Sequence, residues 1–121
     1  MIDDRPIMLF VSDRAVLSSL QFSLVLEGFT LADGSAQGAC ALPARCLVID
    51  QRYRGDGLAF LNKLRGFGVT APATLLITYP TKRQHQQAIE SGAVVVEKPL
   101  LSDELTRTLR TLLNAPEQPE R

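Results

Sequence analysis

The 121-residue sequence predicts an α/β domain, a doubly wound parallel sheet of five strands with helices on both faces. Three observations lead there. Short apolar runs alternate with longer stretches of helical period. The runs are apolar at successive residues, so both faces of each strand are covered, as in a parallel sheet between helices. Right-handed crossovers then restrict that alternation to a doubly wound sheet. The length suits one domain and is too short for two. With 45% apolar residues an ordinary core can form.

The first strand is the run 7–11 (IMLFV), cut off by Ser12 and Asp13. Val16, Leu17, Leu20 and Leu24 recur at helical spacing, and Gly28 stands where a helix C-terminus wants it. Residues 29–32 supply a second strand, and Asp33-Gly34-Ser35 turns into a short Ala-rich piece ending near Pro43. Residues 46–49 form the clearest strand, closed by Asp50. A helix follows over 57–66, with Leu58, Leu61 and Leu64 inward and Phe60 beside them. Pro72 precedes the strand 73–77, which ends at Thr78. A polar helix over 82–91 stops at Gly92, and the fifth strand, 93–96, closes with Glu97-Lys98-Pro99. The last helix opens with Ser102 as N-cap and Asp103-Glu104 in its first turn. Leu105, Leu109, Leu112 and Leu113 face inward there, Pro116 prevents continuation, and 116–121 is a disordered tail after a domain over 1–115.

Composition excludes several functions. Thirteen basic residues balance thirteen acidic ones, so no field of one sign recruits nucleic acid or an anionic membrane. Aromatic residues make up only 6%, too few for a base-stacking platform. Cys40 and Cys46, with no histidine near, form neither a disulfide framework nor a metal knuckle, which suits a reduced, cytoplasmic chain. The two aspartates at the start rule out a signal peptide, and no run is long enough to span a membrane. Lone His85, on a polar helix, is a surface residue.

In doubly wound sheets the ligand site lies at the carboxyl ends of the strands. Those ends carry Ser12 and Asp13, Asp50, Thr78 and Lys98. Singly, each has a plain use: a cap or turn, a β-former, a solvated end. Together, a carboxylate, a hydroxyl and an ammonium suit acceptance of a phosphoryl group. The carboxylate attacks phosphorus while the other two neutralise and hydrogen-bond its oxygens.

CLVID at 46–50, LLIT at 75–78, SGAVVVEKP at 91–99 and the VLSSL–EGF frame of the first helix together resemble the receiver domains of bacterial two-component response regulators. The resemblance covers nearly the whole chain. It implies the flavodoxin-like strand order 2-1-3-4-5, with Asp50 as phosphoacceptor, Thr78 as switch hydroxyl and Lys98 as the phosphoryl-contacting lysine. It also implies a histidine kinase or histidine phosphotransfer protein as donor, Mg²⁺ as cofactor and a signalling role rather than an enzymatic one. The chain departs from the pattern at several positions. Where receivers carry two adjacent acidic residues that hold Mg²⁺, the helix frame places Val11 and Ser12, with Asp13 one step beyond. Asp50 and a displaced Asp13 are then the metal candidates, and Mg²⁺ is bound weakly or not at all. Arg54 replaces the usual proline after the acceptor, Tyr79 follows Thr78 where a small residue is typical, and Val95 takes the aromatic switch position. Arg52 is placed either to reach over the site as a surrogate cation or to stand solvated in its loop.

Two functions follow. One is a single-domain response regulator phosphorylated on Asp50; the other is a phosphorylation-independent pseudo-receiver acting as a binding adapter. A flavodoxin-like mononucleotide binder is disfavoured, because residues 12–16 contain no glycine for a phosphate loop. With only a short tail after the last helix, the signal is expected to leave by contact with a downstream protein, or with a second copy of the chain. On the first helix Phe22 lies opposite the inward stripe, with Arg14 and Ser18 behind it and Val25 and Leu26 flanking. The receivers this chain resembles dock the kinase on this helix and on the loop after strand five, here Leu100-Leu101. The resemblance implies that Arg14, Ser18, Phe22 and Leu100 dock it; the alternative is that Phe22 folds over the helix end against Phe29.

Overall fold

The structure, a computed structural model, describes residues 5–35, 44–98 and 104–114. Five parallel strands lie in the order β2-β1-β3-β4-β5, as expected. They are β1 (Ile7–Phe10), β2 (Leu31–Asp33), β3 (Cys46–Asp50), β4 (Ala73–Thr78) and β5 (Ala93–Lys98). The helices are α1 (Arg14–Leu26), α2 (Gly57–Gly66), α3 (Lys82–Glu90) and α4 (Glu104–Asn114), with a 3₁₀ turn at Tyr53–Gly55. The Ala-rich piece before Pro43, the Ser102 cap with Asp103, Leu100 and the tail all lie outside the described residues.

Alternation along the strands divides the core in two. Ile7, Leu9, Val11, Cys46, Val48, Leu76 and Val96 face α1 and α4 and meet Leu17, Leu20, Leu24, Leu105 and Leu109. Met8, Phe10, Leu47, Ile49, Leu75 and Ile77 face the other way, toward Leu58 and Leu61 of α2 and Ala88 of α3. Of the three inner strands, β1 and β3 are buried at every residue and β4 at all but Thr78, whereas the edge strands β2 and β5 are not. Cys46 lies deep in the α1 side, where burial pushes its thiol up to about 11, so it stays protonated and inert.

Strand ends differ from the expected ones for local reasons. β2 begins at Leu31 rather than at Phe29 because Phe29 still belongs to the helix terminus. Gly28 takes φ 95, its N–H bonds Val25 O at 3.0 Å, and the Phe29 N–H bonds Leu24 O at 3.1 Å. β5 runs on to Lys98 because Glu97 and Lys98 pair with Ile77 and Thr78. That pairing carries the lysine to the sheet's carboxyl edge. α3 starts with a capping box, Thr81 and Gln84 bonding each other's backbone N–H.

Candidate phosphoacceptor site

Asp50 is the last residue of β3, at the centre of the sheet, and shares a face with Cys46 and Val48. It is 6% exposed. Its Oδ1 accepts the Arg52 backbone N–H at 2.8 Å, and its Oδ2 accepts Lys98 Nζ at 2.8 Å. Lys98 ends β5, two strands away, and only 19% of its side chain is exposed. A carboxylate this deep is held by pairing, since removing either charge strands the other away from water. Around the pair opens a cleft of about 350 Å³ lined by Ser12, Asp13, Val16, Asp50, Arg52, Tyr53 and Lys98.

The loop after Asp50 is tied down at several points. The Gln51 N–H bonds Leu76 O at 2.9 Å, and Gln51 O accepts the Gly57 N–H at 2.7 Å. The Gln51 side chain accepts the Leu58 N–H at 3.0 Å and donates to Asp56 Oδ1 at 3.0 Å, while Asp56 caps α2. Tyr53 is buried and packs edge-on against Phe10 and Phe60, with centroids 5.6 and 5.0 Å away. Asp50 is therefore followed by a firmly bonded loop, and its carboxylate lines the cleft.

No protein-family model matches the chain, and no curated protein matches it. Solved structures do. The response regulator receiver domain protein (CheY-like) from Methanospirillum hungatei JF-1 superposes with a TM-score of 0.75 at 16% identity, over 90% of this chain and 93% of that one. A two-component response regulator from Clostridium difficile gives 0.75 at 17% identity, over 94% and 99%. The chemotaxis protein CheY4 of Vibrio cholerae gives 0.75 at 19%, over 90% and 98%. The chain has the receiver fold.

Within that receiver fold the expected site residues divide. Asp50 and Lys98 meet. Thr78 lies beside Lys98 in the β4–β5 register, but Asp50 pairs with Leu76, two residues earlier. Thr78 is therefore about 6–7 Å farther along the strand direction. It is exposed and does not line the cleft. Tyr79 takes φ 51 and stands 82% exposed, so its ring leaves the cleft open. Arg54 takes φ 53, which a proline ring cannot adopt, and its guanidinium rests 5.6 and 5.5 Å from the Tyr53 and Phe60 ring centroids. The missing proline thus follows from the geometry of this loop. Val95 packs against the α2–α3 side of the core.

The metal candidates fit Mg²⁺ poorly. Val11 is buried in the core beneath α1 and offers no oxygen. Asp13 lines the cleft, but its Oδ1 caps α1, accepting the N–H of Ala15 at 2.9 Å and of Val16 at 3.2 Å. Both Asp50 oxygens are engaged by protein donors. Among the described residues no three His, Cys, Asp or Glu side chains cluster to hold a metal. Magnesium asks for near-octahedral oxygen donors including one or two carboxylates, and the two carboxylates at this cleft are already engaged, Asp13 by the helix cap and Asp50 by Lys98 and the Arg52 N–H.

Proposed function

We propose that this protein is a two-component response regulator that accepts a phosphoryl group on Asp50 from a histidine kinase or histidine phosphotransfer protein. The observation behind this reading is the Asp50–Lys98 pair at the carboxyl edge of the sheet, opening on a cleft. The carboxylate is the nucleophile. Lys98, on its flexible stem, can follow the negative charge from the carboxylate to the phosphoryl oxygens. Thr78, on the neighbouring strand and beside Lys98 in the register, is the switch hydroxyl in this reading, which must reorient toward them. The change leaves through protein contact, to a downstream target or to a second copy of the chain. No helix among the described residues is long and apolar enough to cross a membrane.

Incubation with acetyl phosphate or a phosphorylated kinase is expected to add the mass of one phosphoryl group to wild type and nothing to Asp50→Asn. Modification that persists in the variant disproves the assignment. A second reading, a pseudo-receiver that binds partners without phosphorylation, is favoured by the buried Val11 at an acidic-pair position. It predicts no mass gain from any donor.

The docking surface is the outer face of α1. Phe22 is 69% exposed, and Val25 and Leu26 beside it are exposed as well. Arg14 and Ser18, eight and four residues before Phe22, are exposed on the same helix. Phe22 is thus no part of the core, and it is placed to anchor a kinase helix. Phe22→Ala is expected to weaken binding to the cognate kinase or phosphotransfer domain by about 1 kcal/mol or more while leaving the melting temperature nearly unchanged. Calorimetric titration beside a thermal melt checks both. A variant that melts early but binds normally per folded molecule overturns the assignment.

A further inference from the structure

We propose that the phosphoryl group at Asp50 is neutralised by two protein cations, Lys98 and Arg52, in place of one lysine and a divalent metal, so that phosphorylation proceeds without Mg²⁺. This rests on the reading of Asp50 as phosphoacceptor.

Four observations lead to it. First, the cleft is already balanced, with the carboxylates of Asp13 and Asp50 facing the cations of Arg52 and Lys98. A third carboxylate at position 11 would leave it anionic and in need of a dication, but Val11 is apolar and buried. Second, the donors left for a metal are poor, as the Asp13 cap and the two occupied Asp50 oxygens show. Third, Arg52 is exposed and lines the cleft, and among the described residues no carboxylate pairs with its guanidinium. Fourth, its backbone is fixed against the acceptor, since its own N–H holds Asp50 Oδ1 at 2.8 Å. The side chain therefore starts from a point set by the acceptor itself. A guanidinium presents a planar fork that matches two phosphoryl oxygens at once.

The chemistry balances without further reagents. An Asp50 oxygen attacks the phosphorus of an acyl phosphate donor, a new O–P bond forms, and the bond from phosphorus to the donor oxygen breaks. The electron pair leaves on the carboxylate product. Asp50 loses its own charge as the phosphoryl dianion arrives, so the cleft gains one net negative charge. Lys98, freed from the carboxylate, and Arg52 then face the equatorial oxygens.

The test is the rate of mass gain from acetyl phosphate in EDTA and in Mg²⁺, for wild type, Arg52→Ala and Arg52→Lys. Wild type is expected to react at similar rates in both. In EDTA, Arg52→Ala should lose about tenfold or more, as when one charge-stabilising donor is removed. Arg52→Lys should recover part of that loss. Because Arg52 is exposed, thermal melts should stay unchanged and separate this loss from unfolding. Wild-type reaction only with Mg²⁺, or an Arg52→Ala rate equal to wild type in EDTA, overturns the inference and leaves the acceptor assignment standing. Absence of modification under every condition overturns both.

Discussion

Gly57→Ala is expected to destabilise the domain by about 2–3 kcal/mol and to slow phosphoryl acceptance at the same time. Gly57 opens α2 directly under the acceptor loop. A Cβ added there would collide with the carbonyl oxygen of Asp50 and the Cα of Gln51, with the Ile49 side chain close behind. The first two obstacles are backbone, and they belong to the strand end that carries Asp50. They cannot rotate away as a long side chain would. Alanine is the better helix former by up to about 1 kcal/mol, but that gain shrinks in the first turn and is outweighed by the clash. Relief comes only by moving α2 or the end of β3, and the second course shifts Asp50 relative to Lys98. Urea unfolding should show a lower midpoint with an unchanged slope, and phosphorylation per folded molecule should fall. A variant as stable as wild type would mean that α2 can retreat without cost.

Arg65→Ala is expected to cost about 3 kcal/mol, although the residue lies far from the cleft and bears no chemistry. Its guanidinium donates to four backbone carbonyls from two different loops. Nε bonds Ser91 O at 2.9 Å, Nη1 bonds Val69 O at 3.0 Å and Ala71 O at 2.6 Å, and Nη2 bonds Gly92 O at 3.2 Å. One side chain thus joins the end of α2 to the turn into β4 and to the turn between α3 and β5. Burial lowers its pKa, a direction that opposes the charged form, yet guanidinium stays protonated throughout the accessible range. Truncation leaves carbonyls without partners, and each orphan costs more than the lost bond alone. Arg65→Lys should recover little, because a single ammonium cannot span four acceptors that lie in different directions. Equilibrium denaturation of both variants distinguishes the cases. If lysine restores full stability, a single bond is enough to hold the loops and the network carries little.

The order of elements, the two-sided burial of β1 and β3, and the inward faces of α1 and α4 were all legible in the sequence. Period and apolarity report local backbone geometry and the side that must leave water, and both are written in neighbouring residues. Asp50 and Lys98 could be placed at the carboxyl edge on the same basis, since a polar residue that closes an apolar run marks a strand end. Phe22 could be placed outside α1 because a helix covered on one side has room for only one buried stripe. Tertiary structure alone decided which of these residues meet. The Asp13 cap is the local exception, made because the first N–H groups of a helix need an acceptor wherever the chain turns into it. Thr78 fell outside the cleft because the β3–β4 register sets Asp50 against Leu76. Tyr53, a lone aromatic in a polar loop, closed a three-ring cluster with Phe10 and Phe60 from two other elements. Arg65 found its four carbonyls across two loops. The ring cluster and the Arg65 network join residues whose separation along the chain carries no periodic signal. They are set by strand register and by the crossing of helices over the sheet, which exist only once the whole chain has folded.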